Sequence, residues 1–218
     1  MTGSRLPSGR PVICLITDRR LVDNLDRAVT AAVAGGVNMV QLREKDLPTR
    51  DLLDLGNRVR DAIAGRALLL INGRADIAFA VGADGVHLPA DGLPTDGARA
   101  TLGAGSIIGR AVHSAAEVTG PETLGADYLE LGTIFPSRSH PAGAPLGLPA
   151  LRSATGARIP LIAVGGITAG NVAEVIAAGV AGIAVISAIL GESDPKAASE
   201  RLSVATEKAW AQRVVVGA

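Results

Sequence analysis

The chain has 218 residues, 48% of them hydrophobic and 19% charged, which excludes intrinsic disorder and suits one domain with a sizeable core. Its 21 basic and 21 acidic side chains cancel, and the lack of any basic run argues against a nucleic-acid or anionic-membrane partner. The single Cys14 leaves no intramolecular disulfide, and no charged-then-apolar leader follows Met1, so the expected location is cytoplasmic.

Aromatics are 2% and glycines number 27. A β-sandwich would carry more aromatic strands and a helical bundle fewer glycines, so the balance points to an α/β protein. Short apolar runs follow one another at Val12–Ile16, Asn38–Leu42, Ala67–Ile71, Asp84–Leu88, Ile107–Ala111, Asp127–Leu131, Pro160–Val164 and Gly182–Ile186. Apolar on both faces, they read as strands buried on two sides. Amphipathic segments of helical period lie between them, clearest at Leu25–Ala34, Thr49–Ile63, Ala169–Ala178 and Lys196–Ala211. Eight such units of about 27 residues predict a single (β/α)8 barrel over residues 1–218, with 1–10 as a flexible N-terminal tail. Between Ile159 and Gly191 Glu174 is the sole ionised residue, but Pro160, Gly165, Gly166, Gly170 and Gly179 break the stretch. It reads as strand, helix and strand rather than as a membrane span.

A fourfold internal echo supports the barrel. Gly35-Gly36-Val37-Asn38-Met39-Val40-Gln41-Leu42 returns as Gly82-Ala83-Asp84-Gly85-Val86-His87-Leu88, as Gly125-Ala126-Asp127-Tyr128-Leu129-Glu130-Leu131 and as Gly179-Val180-Ala181-Gly182-Ile183-Ala184-Val185. Each copy leads from a glycine suited to a helix C-cap into a buried strand, recurring at every second strand as a quarter-barrel repeat would.

Barrel active sites form from the loops after the strands. Gly165 and Gly166 follow the seventh strand, and Ile186 and Ser187 follow the eighth; their backbone N–H groups would converge on an anion such as phosphate. Arg43-Glu44-Lys45 follows the second strand and reads equally as a second anion grip or as a solvated charged loop. Asn72 follows the third strand, Asp91 the fourth and His113 the fifth. An imidazole at His113 suits proton transfer near neutral pH, although a lone strand-end histidine is more often structural. His87 and His140 read as structural or peripheral. The long Gly132–Gly147 loop, with Ser137, Arg138 and Ser139, suits a lid or a passive excursion. No cluster has metal-ligand spacing, so no resident metal is expected.

Gln41-Leu42-Arg43-Glu44-Lys45, Asn72-Gly73-Arg74-Ala75-Asp76-Ile77-Ala78, Gly82–Leu88, Ile134-Phe135-Pro136-Ser137, Ala163-Val164-Gly165-Gly166-Ile167 and Val185-Ile186-Ser187-Ala188-Ile189 together resemble the thiamine phosphate synthase and thiazole tautomerase superfamily. The resemblance implies a phosphorylated thiazole substrate, phosphate contacts at Gly165, Gly166, Ile186 and Ser187, and substrate contacts at Arg43, Lys45, Asn72, Ser137 and Ser139. The synthase branch joins hydroxymethylpyrimidine diphosphate to a thiazole phosphate and uses Mg²⁺ held by carboxylates. Here its Asn-Asp is Asn72-Gly73, its second acidic ligand falls at Gly92 with Asp91 one residue early, and its loop lysine is His140. Asn72-Gly73-Arg74, His87-Leu88-Pro89 and Gly109–Ser114 are more similar to the tautomerase branch, which implies a metal-free isomerase with His113 as acid/base. The expectation is therefore a thiazole tautomerase of thiamine biosynthesis. The alternatives are a synthase, with Asp91 as metal ligand, and a non-catalytic phosphate-binding relative. A homo-oligomer is compatible with either branch.

Overall fold

Eight buried segments define the barrel in a computed structural model describing residues 6–137, 144–156 and 158–216. They are β1 (Val12–Ile16), β2 (Met39–Leu42), β3 (Leu68–Asn72), β4 (Gly85–Leu88), β5 (Ile107–Val112), β6 (Tyr128–Gly132), β7 (Leu161–Val164) and β8 (Gly182–Val185). All neighbours pair in parallel and β8 pairs back to β1, closing the sheet. The predicted (β/α)8 barrel is therefore the observed architecture. The strand positions follow the apolar runs to within a residue at most ends, and Asn72, expected just past the third strand, is the last residue of β3.

The helices are α1 (Leu25–Ala34), α2 (Thr49–Ile63), α3 (Ala75–Val81), α4 (Thr95–Leu102), α5 (Gly147–Ala154), α6 (Val172–Ala177), α7 (Ser187–Leu190) and α8 (Pro195–Val216). α1 and α2 have the bounds their periodicity predicts. The Asn24 side chain accepts from Arg27 N–H to start α1, as an N-cap does. Leu25, Ala28, Val29, Ala32 and Val33 then form the stripe that α1 buries. α6 begins three residues later than its apolar pattern suggests. There Thr168 N–H donates to Asn171 Oδ1 and Asn171 Nδ2 donates to Gly166 O, so these residues form a capped turn ahead of the helix.

Two apolar layers result. Outward residues such as Val40, Leu42, Leu69, Ile71, Leu129 and Ile183 pack under the helices. Inward residues including Val12, Cys14, Met39, Leu70, Ile107, Tyr128 and Ile162 fill the barrel, and Leu6 joins them from the segment before β1.

The internal echo has a structural meaning on both layers. Asn38 Oδ1 accepts from Ile13 N–H, Asp84 Oδ2 from Leu69 N–H and Asp127 Oδ2 from Ile108 N–H. Each repeat's polar residue thus pins the start of the preceding strand. Three residues further on, the same copies place Gln41, His87, Glu130 and Ala184 on β2, β4, β6 and β8. Alternate strands supply one interior layer of a barrel, and three members of this layer are polar.

Candidate active site

The residues at the C-terminal ends of the strands enclose a cavity of about 410 Å³. Arg43, Lys45, Asn72, Asp91, His113, Ser137, Gly165, Gly166, Ile186 and Ser187 all line it. The described residues expected to contact substrate, phosphate or metal are thus brought to one place, whereas Glu44 does not line it. Ser139, Arg138 and His140 lie outside the described residues, and so does the middle of the loop expected to act as a lid. The base of that loop is fixed by Leu146 N–H donating to Thr133 O and Gly147 N–H to Ile134 O.

One wall presents free backbone N–H groups, a feature that suits an anion. Gly165 and Gly166 have φ of +100° and +64°, in the region that L side chains rarely adopt. A Cβ on Gly166 would lie 2.6 Å from Pro136 O and 2.7 Å from Phe135 Cβ, so space as well as conformation requires glycine. The N–H groups of Gly166, Ser187 and Ala188 donate to no described backbone carbonyl. Those at Ser187 and Ala188 are the unsatisfied first donors of α7.

The wall after β2 carries cations. Arg43 is half-buried, and Lys45 is exposed. The chain between them is anchored by Glu44, which is buried. Glu44 Oε1 accepts from the Thr17 hydroxyl at 2.8 Å and from Arg19 N–H at 3.0 Å, and Oε2 accepts from the Arg19 guanidinium. Thr17 in turn accepts from Arg43 N–H at 2.9 Å. The loop is therefore a fixed mount for two cations rather than a solvated excursion. Arg110, buried in β5, donates to Ala90 O and Leu93 O, fixing the segment that carries Asp91.

The floor between the walls is polar, and sequence reasoning missed it as a unit. Gln41, His87 and Glu130 line the cavity from below. Gln41 Nε2 donates to Glu130 Oε2 at 3.2 Å, and His87 Nδ1 lies 3.0 Å from the Tyr128 hydroxyl. Burial holds His87 down at about 3, with Arg43 and Arg110 adding to the effect, so the ring is neutral. Its 3.8 Å approach to Glu130 Oε1 is therefore not an ion pair. Burial pushes Glu130 up to about 7 against the opposing hydrogen bond from Gln41 and the charge of Arg43. His87, expected to be structural or peripheral, is part of the cavity. The available signal was three polar residues at one repeat position in strands otherwise apolar.

His113 stands exposed on the rim, its N–H donating to Glu117 Oε2. Its Nδ1 lies 3.3 Å from Gly132 O, an atom that can only accept, so that contact places a proton on Nδ1.

A carboxylate-held Mg²⁺ can be tested against this donor set. Gly73 occupies the position of one acidic ligand, with φ of +69° and the Pro89 ring 3.6 Å from where its Cβ would be. Gly92 occupies the other. Among the described residues no group of three His, Cys, Asp or Glu side chains could hold a metal ion. Among the described residues Asp91 is the one carboxylate on the β3–β4 side of the cavity, and protein-bound Mg²⁺ can be held by a single carboxylate together with substrate phosphates. The residues do not fit a site in which the protein supplies two carboxylates.

Residues 13–189 match the family model described as thiamine monophosphate synthase. The chain belongs to that family. Within it, the chain is 40% identical over 201 residues to the thiamine-phosphate synthase of Roseiflexus castenholzii, spanning 90% of this chain and 88% of that one. It is 42% identical over 203 residues to the thiamine-phosphate synthase of Moorella thermoacetica, spanning 91% and 90%. The solved structure of thiamine phosphate pyrophosphorylase from Pyrococcus furiosus superposes with a TM-score of 0.83 at 38% identity, covering 91% of this chain and 96% of that chain.

These comparisons correct the expected tautomerase. Family relatives from 38% to 47% identical carry the synthase name, a transferase rather than an isomerase. The expectation rested on the glycines at the metal positions and on His113. The glycines remove carboxylates but leave the N–H groups after β7 and β8 and the cations after β2 in place, and His113 is an exposed rim residue with Nδ1 beside Gly132 O. Neither feature distinguishes an isomerase. Among the described residues no helix is long and apolar enough to cross a membrane.

Proposed function

We propose that this chain is a thiamine phosphate synthase, joining hydroxymethylpyrimidine diphosphate to a thiazole phosphate with release of pyrophosphate. The observation that carries the reading is one cavity that brings the free N–H groups after β7 and β8 and the cations after β2 around a polar floor, a layout that suits two phosphorylated substrates that react with each other. Membership of the thiamine monophosphate synthase family supports it.

In the reaction the thiazole nitrogen attacks the methylene carbon of the pyrimidine. A carbon–nitrogen bond forms, the carbon–oxygen bond to the diphosphate breaks, and pyrophosphate leaves with the electron pair. The thiazole phosphate sits against the N–H groups of Gly166, Ser187 and Ala188, with Ser187 also offering its hydroxyl. The diphosphate sits against Arg43 and Lys45, whose charges meet the negative charge growing on the leaving group. Asn72 and Ser137 hold polar groups of the substrates at the cavity edge. Positioning the two rings together turns a bimolecular step into an effectively unimolecular one.

The test is to incubate the purified protein with both substrates, with Mg²⁺ or with EDTA, and to measure pyrophosphate and thiamine phosphate. Stoichiometric formation of both products is expected. No product in either condition, with the protein folded, overturns the reading.

A further inference from the structure

The roles given above leave Glu130 unused, although it is the least expected group in the barrel. It is 8% exposed, its strand neighbours in register are Ala111 and Ile162, and yet it lines the cavity floor. Burying a carboxyl in such a place is costly unless its hydrogen-bonding capacity is met. Among the described residues one hydrogen bond to that carboxyl is seen. Oε2 accepts from Gln41, whereas His87 Nε2 stands 3.8 Å from Oε1, beyond hydrogen-bonding distance. Apolar side chains of Ile16, Val164, Ala184 and Ile186 surround the same space, which suits a flat ring above the carboxyl.

Burial favours the protonated form of Glu130, and of the groups that face it Gln41 and Arg43 oppose that effect. From β1 comes Cys14, whose thiol burial pushes up, the nearby Glu130 adding to that effect. From β2 comes the Gln41 amide, with the Arg43 cation beyond the strand end. From β4 comes the neutral His87, with the Arg110 cation on β5 nearby. From β6 comes Tyr128, whose hydroxyl burial and Glu130 push up. A protonated carboxyl presents one donor beside one acceptor. Its complement is a heteroaromatic edge with a ring nitrogen next to an exocyclic amine.

We propose that Glu130 is a specificity-determining residue that reads such an edge, donating to the ring nitrogen and accepting from the amine. The inference rests on the synthase reading for the identity of the ring, the pyrimidine, and adds the residue that selects it. The pairing needs one proton between carboxyl and ring nitrogen, whichever atom carries it. Glutamine reproduces the donor and acceptor without titrating; leucine removes both.

The experiment measures binding of 4-amino-5-hydroxymethyl-2-methylpyrimidine diphosphate, and of its analogue with hydrogen in place of the amine, to the wild-type protein, Glu130→Gln and Glu130→Leu. Thermal melts establish that each variant is folded. The wild type is expected to prefer the amine by about tenfold or more, Glu130→Gln to keep most of that preference and Glu130→Leu to lose it. Raising the pH from about 7.5 to about 8.5 is expected to weaken wild-type binding by up to about tenfold more than binding to Glu130→Gln. The titration of the ligand's own diphosphate is common to both proteins and cancels in that ratio. An amine preference unchanged in Glu130→Leu, or a wild-type to Glu130→Gln ratio independent of pH, overturns the inference. Absence of binding to the wild type overturns it together with the synthase reading. Selective, pH-dependent binding without formation of thiamine phosphate sustains the role of Glu130 and overturns the synthase reading alone.

Discussion

Gln41 and Glu130 are 89 residues apart in sequence, yet the amide of one donates to the carboxyl of the other across the barrel interior at 3.2 Å. They meet because the same position of an internal repeat falls on alternate strands, so the copies share one interior layer. Both sit beneath the cavity with His87, the third polar member of the layer, and their bond ties the cation-bearing strand β2 to β6 on the far side of the barrel.

The titration of this layer has a definite sign. Glu130 is pushed from its ordinary 4.5 up to about 7, so the folded state holds a proton the unfolded state has lost, and stability falls as pH rises between those values. His87 is pushed from 6.5 down to about 3, so the folded state lacks a proton the unfolded state binds, and stability rises with pH over that range. The two effects oppose each other where they overlap. Glu130→Gln removes only the first. Urea unfolding should show the variant gaining on the wild type as pH rises, reaching a plateau of about 2–4 kcal/mol above neutrality. A difference that is flat with pH would contradict the burial of an ionisable carboxyl there.

Glu44 offers a second test, because it holds the mount of Arg43 and Lys45 without facing the ligand. Glu44→Ala leaves the Thr17 hydroxyl and Arg19 N–H without their acceptor. Unfolding should show a loss of about 2–3 kcal/mol. Steady-state kinetics should show a raised KM for the diphosphate substrate. Unchanged KM would mean that the loop keeps its shape by other means.

Gly166→Ala should damage the phosphate wall directly. The added methyl meets Pro136 O and Phe135 and must adopt a positive φ, at a cost of about 1–3 kcal/mol. Inorganic phosphate, titrated calorimetrically, should bind at least about tenfold more weakly than to the wild type, the loss of about one good hydrogen bond to a charged group. Equal affinity would place the phosphate elsewhere.

His113→Ala separates displacement from proton transfer. A side chain acting as general acid or base contributes about 10²–10⁴-fold. The substitution by the thiazole nitrogen requires no proton from the rim, so turnover to thiamine phosphate should fall by less than about tenfold. A larger loss in kcat, with KM unchanged, would give His113 a part in the chemistry.

The sequence by itself determined the architecture and the ring of loops around the site. Strands buried on both faces must be apolar throughout, so the runs from Val12–Ile16 to Gly182–Ile186 are visible without any partner. Chain order then places Arg43, Asn72, Asp91, His113, Gly165 and Ser187 after the strands, hence at one mouth. The bounds of α1 and α2 followed from amphipathic period, which is local. The start of α6 did not, because the Asn171 side chain closes a turn where apolar period alone continues the helix.

Only the tertiary structure decided which residues face one another inside the barrel. Along a strand buried on both faces, apolar character does not distinguish the inward from the outward side. The meeting of Gln41, His87, Tyr128 and Glu130 therefore depends on register around the closed sheet. Closure also decides the properties of those groups: the same Glu and His side chains in water would be charged and partly charged at neutral pH. Desolvation between eight strands moves their proton equilibria in opposite directions, and that is a property of the folded barrel and not of the residue order.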